Sequence, residues 1–198
     1  MRRRKNKPGV KPKPKLTRND IDFFTAGDIA QDIDRIDRIL RSGIFDSDQA
    51  LNPLVKSAFT ELVICLYDLL VSVEKYGSRL SFTEDIVATP EVSDITDLVQ
   101  FVRDSICHIH IPSHFVVPKL IKASFFTFYG RGAHIPFEPD HGIVLVSDYA
   151  DDVCFFFGLQ KIYLKRHVIR AFGEAQHQLL PLPEFPNDIL MYGPPNSE

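Results

Sequence analysis

One segment of the chain ends in Arg-Asp-Ser-Ile-Cys-His, residues 103 to 108. Cutting RNA without a metal requires a base for the ribose 2′-hydroxyl, an acid for the leaving oxygen and a fixed cation for the phosphate. Histidine suits the proton transfers because its ordinary pKa lies near neutral pH, and arginine offers a permanently charged planar fork to phosphate oxygens. We therefore predict that Arg103 stabilises phosphate and that His108 acts as acid and base.

The spacing of these two residues places a condition on the elements that carry them. Residues five apart lie about 140° apart around a helix, so Arg103 and His108 do not stack on one another. Arg103 and His108 can meet if the helix ends near His108, an end that Pro112 favours. They can also meet if two copies of the chain share one cleft. Asp104 lies four residues before His108 and is predicted to orient its imidazole, with Ser105 as an alternative partner.

Apolar periodicity predicts four helices around this motif. The motif helix spans about 93–107, with Ile95, Leu98, Val102 and Ile106 facing the core. The other helices are predicted from about 19 to 41, from Asn52-Pro53 to Tyr76, and from 164 to 180. Residues 115–163 are β-branched and aromatic and read as short strands. The predicted fold is mainly α, an antiparallel bundle of about four long helices with a small antiparallel β insertion before the last helix.

The segment from Asp97 to Ile109 resembles the motif helix of the HEPN superfamily. That motif is an arginine, a polar residue, and a histidine after four to six residues; Asp104 stands where asparagine is commonest. The start of the last helix, Leu164-Lys165-Arg166-His167 after short strands, resembles a plasmid- and phage-associated branch of the superfamily. As architecture, the resemblance covers roughly residues 20–182.

The resemblance implies a dimeric helical bundle whose motifs meet at a cleft. Many members of the superfamily are metal-independent ribonucleases of toxin–antitoxin or phage-defence systems, and others have lost activity and only bind. On this resemblance Arg103 and His108 are catalytic, Asp104 supports them, and the partners are RNA, a second copy and a cognate antitoxin. Two alternatives remain open: a non-catalytic interaction or regulatory module, and an RNA-binding adaptor.

A second basic cluster lies at the start of the last helix. Its members are Lys165, Arg166, His167 and Arg170. These side chains could form a solvated face that covers apolar neighbours, or they could contact phosphates that line the cleft. Nearby aspartates could also neutralise them. We predict RNA binding for all four residues.

Charge is divided unevenly along the chain. Residues 1–18 hold nine of the 23 Lys and Arg and no acidic residue, which leaves 14 basic against 26 acidic residues in the remainder. The basic segment is also rich in proline, so it is predicted to be a disordered tail that can seek phosphate or only aid solubility. Residues 19–185 are predicted to form one HEPN-like domain, followed by a loose tail over 186–198.

Other features narrow the class of protein. Three cysteines in apolar runs predict buried free thiols and a reducing compartment, and we expect a cytoplasmic protein that does not enter a membrane. Cys107, His108, His110 and His114 lack the spacing of a zinc finger, so no metal and no cofactor are expected. Gly130-Arg131-Gly132 is predicted to be a turn, as is the acidic segment 148–152 between two strands.

Overall fold

A computed structural model describes residues 15–107, 115–117, 121–122, 125–134 and 144–182. Within these residues the α-helices are α1 (Phe23–Arg41), α2 (Leu54–Tyr76), α3 (Ile95–Cys107) and α4 (Arg170–Leu179). The strands are β1 (Phe115–Val117), β2 (Ile121–Lys122), β3 (Phe126–Tyr129), β4 (Gly132–His134), β5 (Leu145–Ser147), β6 (Val153–Phe157) and β7 (Gln160–Tyr163). The predicted tails fall largely outside the described residues, which include neither 1–14 nor 183–198.

The first helix begins later than the sequence suggested. Residues Arg18–Asp20 form a 3-10 turn, and α1 starts after Asp22, whose carboxylate accepts a hydrogen bond from the Thr25 amide at 3.0 Å. Arg18, assigned to the tail from sequence, donates from Nη1 to the Leu180 carbonyl oxygen at 2.7 Å. At the other end α1 stops at Ser42, and Gly43 follows with a φ of 71°, as the predicted Ser-Gly stop requires.

Helix α2 is the centre of the molecule, because α1, α3 and α4 all pack against it. Its apolar residues recur at helical spacing on more than one face, so it is buried on several sides. The following side chains of α2 are fully buried: Phe59, Leu62, Val63, Leu66, Leu69 and Val73.

Helix α3, which carries Arg103, is fixed at its N-terminus by the preceding connection. Asp94 accepts a hydrogen bond from the Asp97 amide at 2.9 Å and so caps the first turn. Arg79 donates to both oxygens of Asp94 at 3.0 Å and also pairs with Asp97. Ile95, Leu98 and Val102 are fully buried against the rest of the core, as predicted. The register of α3 is therefore set by packing and by this ion-pair cluster.

The strands pair antiparallel in three groups within the described residues: β1 with β2, β3 with β6 and β7, and β4 with β5. In the three-stranded sheet, Phe155 lies opposite Thr127 on one side and Ile162 on the other. Phe155, Phe157 and Ile162 all belong to the same apolar core as α2. The ring of Phe155 stacks on that of Phe59 with 3.9 Å between centroids.

The prediction of a mainly α bundle of four long helices with a small β insertion was wrong. The fold is a mixture of α-helices and antiparallel strands, in which the sheet supplies one side of the main core. The physical reason is that Phe155 and Phe157 of β6 stack on Phe59 of α2, while Cys154 and Phe156 are buried in a second cluster among the strands. Both faces of β6 are buried, at Cys154, Phe155, Phe156 and Phe157. The sequence of this strand therefore lacks the alternation of apolar and polar residues that marks a strand with one face in the core.

The predicted last helix, 164–180, consists of two parts. Residues Leu164–Ile169 form a π-helical segment, and only Arg170–Leu179 form the α-helix α4. The two parts share one apolar face, on which Val168, Ala175 and Leu179 are fully buried. A π-helical segment is rare and is found mostly where other contacts hold it. Those contacts are described below.

No helix among the described residues has the length and apolarity needed to cross a membrane.

Candidate functional site

Arg103 lies near the C-terminal end of α3, and its side chain contacts α2. Its guanidinium carbon is 4.1 Å from the centroid of the Tyr67 ring, and its side chain is 31% exposed. Nε of Arg103 is buried and has no hydrogen-bond partner within the described part of the chain. The guanidinium is thus held at the α2–α3 boundary, partly open to solvent, with a charged donor that the described residues leave unsatisfied.

Asp104 contacts Arg103 directly. Its Oδ1 lies 3.2 Å from Nη2 of Arg103, and 39% of its side chain is exposed. The sequence predicted that Asp104 would orient His108, but the partner that it contacts in the described residues is the arginine. Because adjacent residues on a helix point in different directions, this pair forms only through the length of the arginine side chain. Asp104 therefore occupies part of the fork that a phosphate would use.

His108 lies outside the described residues, so the predicted pairing of Arg103 with His108 stays a prediction. The predicted helix end near His108 falls outside the described residues, which follow α3 as far as Cys107. Ser105 is 2% exposed, and its hydroxyl has no hydrogen-bond partner in the described residues. Its side chain faces the core, whereas Arg103 and Asp104 remain half exposed on the surface of the helix.

An acidic cavity lies beside this site, between α1 and α2. It has a volume of about 420 Å³, and the residues that line it include Asp28, Asp32, Arg35 and Asp68. Partial desolvation raises the pKa of Asp68, and the charge of Arg103 opposes that shift. Desolvation also raises the pKa of Asp32. The surroundings of Arg103 are therefore rich in carboxylates. Among the described residues no cluster of histidine, cysteine, aspartate or glutamate side chains is suited to hold a metal ion.

The second basic cluster is engaged in structural contacts. Arg166 donates to Asp152 and to Asp151, each at 3.0 Å, and its guanidinium carbon lies 3.6 Å from the centroid of the Tyr149 ring. Asp152 is fully buried and also accepts hydrogen bonds from the amides of Lys165 at 2.8 Å and Arg166 at 3.1 Å. The acidic segment 148–152 forms a turn, as predicted. Its Asp152 carboxylate caps the first amides of the π-helical segment.

His167 is buried and both of its ring nitrogens are used. Nδ1 accepts a hydrogen bond from the Tyr163 amide at 3.1 Å, and Nε2 lies 3.0 Å from the carbonyl oxygen of Glu84. The neutral tautomer with a proton on Nε2 satisfies both contacts. Burial lowers the pKa of His167. Neither nitrogen is left to contact RNA.

Arg170 and Lys165 complete the cluster. Arg170 pairs with Glu174 at 2.9 Å and with Glu84 at 3.2 Å, and lies over the Phe82 ring at 3.8 Å. Lys165 is more exposed, and its Nζ is 3.9 Å from Asp151. The basic side chains predicted to bind RNA are therefore balanced by carboxylates of neighbouring loops and of α4.

Sequence reasoning missed two features of these sites. Tyr67 was not singled out, although an aromatic residue four positions after Val63 lies beside the apolar stripe of α2. Asp148 was treated only as a turn residue, yet its carboxylate accepts hydrogen bonds from the Tyr163 hydroxyl at 2.8 Å and from Lys161. Those hydrogen bonds, that of Lys161 first, lower the pKa of Asp148.

Comparisons of the chain with protein-family models, with curated proteins and with solved structures found no match. The likeness to the HEPN motif helix therefore stands on the residues quoted above.

Proposed function

We propose that this chain is a metal-independent endoribonuclease of HEPN type, which acts in the cytoplasm as a toxin or a phage-defence effector. In this proposal Arg103 stabilises the phosphate and His108 transfers protons. RNA is the substrate, a second copy completes the cleft, and a cognate antitoxin is the regulatory partner. No cofactor takes part.

The environment of Arg103 is the observation that supports the proposal most. Other described arginines, such as Arg79 and Arg166, are held by several carboxylates, whereas Arg103 has a single carboxylate contact at 3.2 Å and a buried Nε without a partner among the described residues. A buried unsatisfied donor costs about 1–3 kcal/mol, so its retention calls for an explanation. A phosphate oxygen is an acceptor of the required charge.

The chemistry requires no redox step and no added reactant. A base removes the 2′-hydroxyl proton as that oxygen attacks phosphorus, the bond to the 5′-oxygen breaks, and an acid protonates the departing oxygen. The products are a 2′,3′-cyclic phosphate and a 5′-hydroxyl. Arg103 stabilises the negative charge that builds on the non-bridging oxygens. His108 fills both proton-transfer roles, with one histidine from each copy in a symmetric dimer.

The test is cleavage of mixed RNA by purified protein in excess EDTA. Arg103→Ala and His108→Ala are compared with Arg38→Ala, a control that removes an exposed arginine paired within α1 to Asp34 at 2.8 Å. We expect wild type and Arg38→Ala to cleave RNA and leave cyclic-phosphate ends. Loss of a fixed charge donor in Arg103→Ala lowers kcat about 10²- to 10³-fold, and loss of the general acid and base in His108→Ala lowers it about 10²- to 10⁴-fold, so both site variants should be nearly inactive. Intact RNA in every lane, from folded protein, would exclude this activity on those substrates.

A non-catalytic interaction module is the second candidate, and a specific observation favours it. Arg166 and Arg170 are each paired with two carboxylates, so the most basic helical surface is not free to bind polyanions. The RNA-binding adaptor, the other alternative, predicts RNA affinity that depends on the basic N-terminal segment. Deleting residues 1–14 would then remove all RNA binding, whereas an endoribonuclease lacking them keeps measurable cleavage at low salt.

A further inference from the structure

The guanidinium of Arg103 is held from another helix by one aromatic ring. Tyr67 of α2 contacts Arg103 from outside α3, at 4.1 Å from the ring centroid to the guanidinium carbon, and the carboxylate of Asp68 on the same helix interacts with its charge. The buried Nε makes no hydrogen bond there that could fix the plane of the group. The orientation of this charge therefore depends on the ring face of Tyr67 and on the neighbouring Asp104.

These two contacts use different parts of the guanidinium. A cation–π contact uses its flat face, whereas hydrogen bonds to oxygen use its edges. Asp104 lies at an edge nitrogen, Nη2, and so competes with a phosphate for the same donor. Tyr67 does not compete, because a phosphate can bind the edges while the face stays on the ring. Of the two neighbours, only Tyr67 can hold Arg103 in place throughout the reaction.

We propose that Tyr67 is a positioning residue, which holds the face of Arg103 so that the edges of its guanidinium meet the phosphate. This inference rests on the proposed endoribonuclease function and extends it to α2. A group held within about 1 Å of its productive position is worth far more than the same group when mobile. Tyr67 would thus act on the reacting phosphate only through Arg103.

The experiment compares Tyr67→Leu with Tyr67→Phe, which keeps the ring and loses only the hydroxyl. Phe82→Leu is the matched control, because Phe82 lies under Arg170 at 3.8 Å in a similar pair away from the site. We expect Tyr67→Leu to lower kcat about three- to thirtyfold with little change in KM, since the lost contact acts on charge in the transition state. Tyr67→Phe and Phe82→Leu should stay within twofold of wild type.

A second readout does not depend on cleavage. The Nε–H resonance of Arg103 is assigned in 15N-labelled protein by its loss in Arg103→Lys. Because an aromatic face shields a group stacked on it, this resonance should move downfield in Tyr67→Leu and stay near its wild-type position in Tyr67→Phe. A general loss of folding would move many arginine resonances, not this one alone.

The outcomes separate the two claims. A lower kcat in Tyr67→Leu, restored in Tyr67→Phe and accompanied by the downfield shift, supports the positioning role. An active wild type whose Tyr67→Leu variant keeps full kcat overturns the role of Tyr67 and leaves the endoribonuclease proposal intact. A folded wild type that cleaves no RNA overturns the endoribonuclease and, with it, the positioning role.

Discussion

Two arginines near helix ends, Arg103 and Arg166, contrast in how the fold uses them. Both lie against a tyrosine, at 4.1 Å and 3.6 Å from the ring centroid, and both are about one-third exposed. Arg166 also pairs with Asp151 and with the buried Asp152, whereas within the described residues the ion pair of Arg103 is with its neighbour Asp104. The same residue type on the same kind of ring thus neutralises a buried carboxylate in one place and keeps a buried Nε without a hydrogen-bond partner among the described residues in the other.

The contrast shows that charge composition alone does not locate an anion site. The basic cluster at 165–170 contains more basic residues, but its charges balance a buried carboxylate and an exposed acidic loop. The pair at 103–104 contains fewer basic residues and keeps more of its hydrogen-bonding capacity. A ligand binds donors that the fold has left free, so availability decides more than number.

Removing the carboxylate of Asp152 is expected to have the largest effect on stability. Asp152→Ala leaves the amides of Lys165 and Arg166 and the Arg166 guanidinium without their acceptor, so the free energy of unfolding should fall by about 3–5 kcal/mol. Asp151→Ala is the control, since its side chain is 62% exposed and its loss should cost less than about 1 kcal/mol. Urea titrations monitored by circular dichroism measure both, and equal losses would show that the cap does not stabilise the fold.

Exchanging the two arginines for alanine sharpens the comparison directly. Arg166→Ala should lower the free energy of unfolding more than Arg103→Ala does, because the buried Asp152 loses its charged partner. Arg103→Ala should lower it by less than about 1 kcal/mol, since its ion pair is half exposed. In the RNA assay, Arg103→Ala should lose more cleavage activity per folded molecule than Arg166→Ala. The comparison fails if Arg103→Ala proves the more destabilising of the two.

His167 makes the structural region sensitive to acid. Burial lowers its pKa below the ordinary value of 6.5, so the folded state keeps the neutral ring while the unfolded chain takes up a proton. Its contribution to stability is therefore complete above the unfolded pKa and is lost as the pH falls below it. Between pH 7.5 and 5.0, wild type should lose about 1–2 kcal/mol more than His167→Gln in urea titrations. Equal losses would mean that His167 does not titrate differently in the two states.

The smallest expected effect concerns Asp104. If its carboxylate competes with phosphate for Arg103, Asp104→Asn should tighten binding of a short RNA about two- to fivefold, the size of an exposed ion pair. The measurement uses fluorescence anisotropy in a His108→Ala background, so that the RNA remains whole. Asp34→Asn, which frees the exposed Arg38 in the same manner, is the control and should change affinity less. A weaker complex for Asp104→Asn would instead favour a supporting role for the carboxylate.

Apolar periodicity predicted the helices well. Much of each predicted stripe is buried, because a helix that must cover a core repeats its apolar residues every three or four positions; Ile29 and Ile36 of α1 and Ile95, Leu98 and Val102 of α3 are examples. The ends of α1 at Arg41 and of α2 at Tyr76 also agree, since the glycines that follow, Gly43 and Gly77, stop a helix locally. Helix positions and helix ends could be predicted where they depend on contacts within about one helical turn.

The sheet and the candidate site depend on contacts distant in sequence. Phe155 and Phe59 are far apart along the chain, so no local pattern indicated that the strands would complete the main core. The contact between Tyr67 and Arg103 is of the same kind, as is the buried Asp152 that caps a later helical segment. Such pairings arise when packing brings separate elements together.

The amino-acid sequence alone therefore determined where the main helices lie, which faces they bury, and which short motif has residue types suited to phosphate chemistry. Only the tertiary structure decided that the sheet belongs to the core and that the basic residues at 165–170 are used within the fold. It also decided that Arg103 rests on Tyr67 with a buried Nε left unsatisfied by the described residues. The physical reason is that periodicity and capping are local properties, whereas burial, charge pairing and the availability of a donor depend on neighbours that folding brings close.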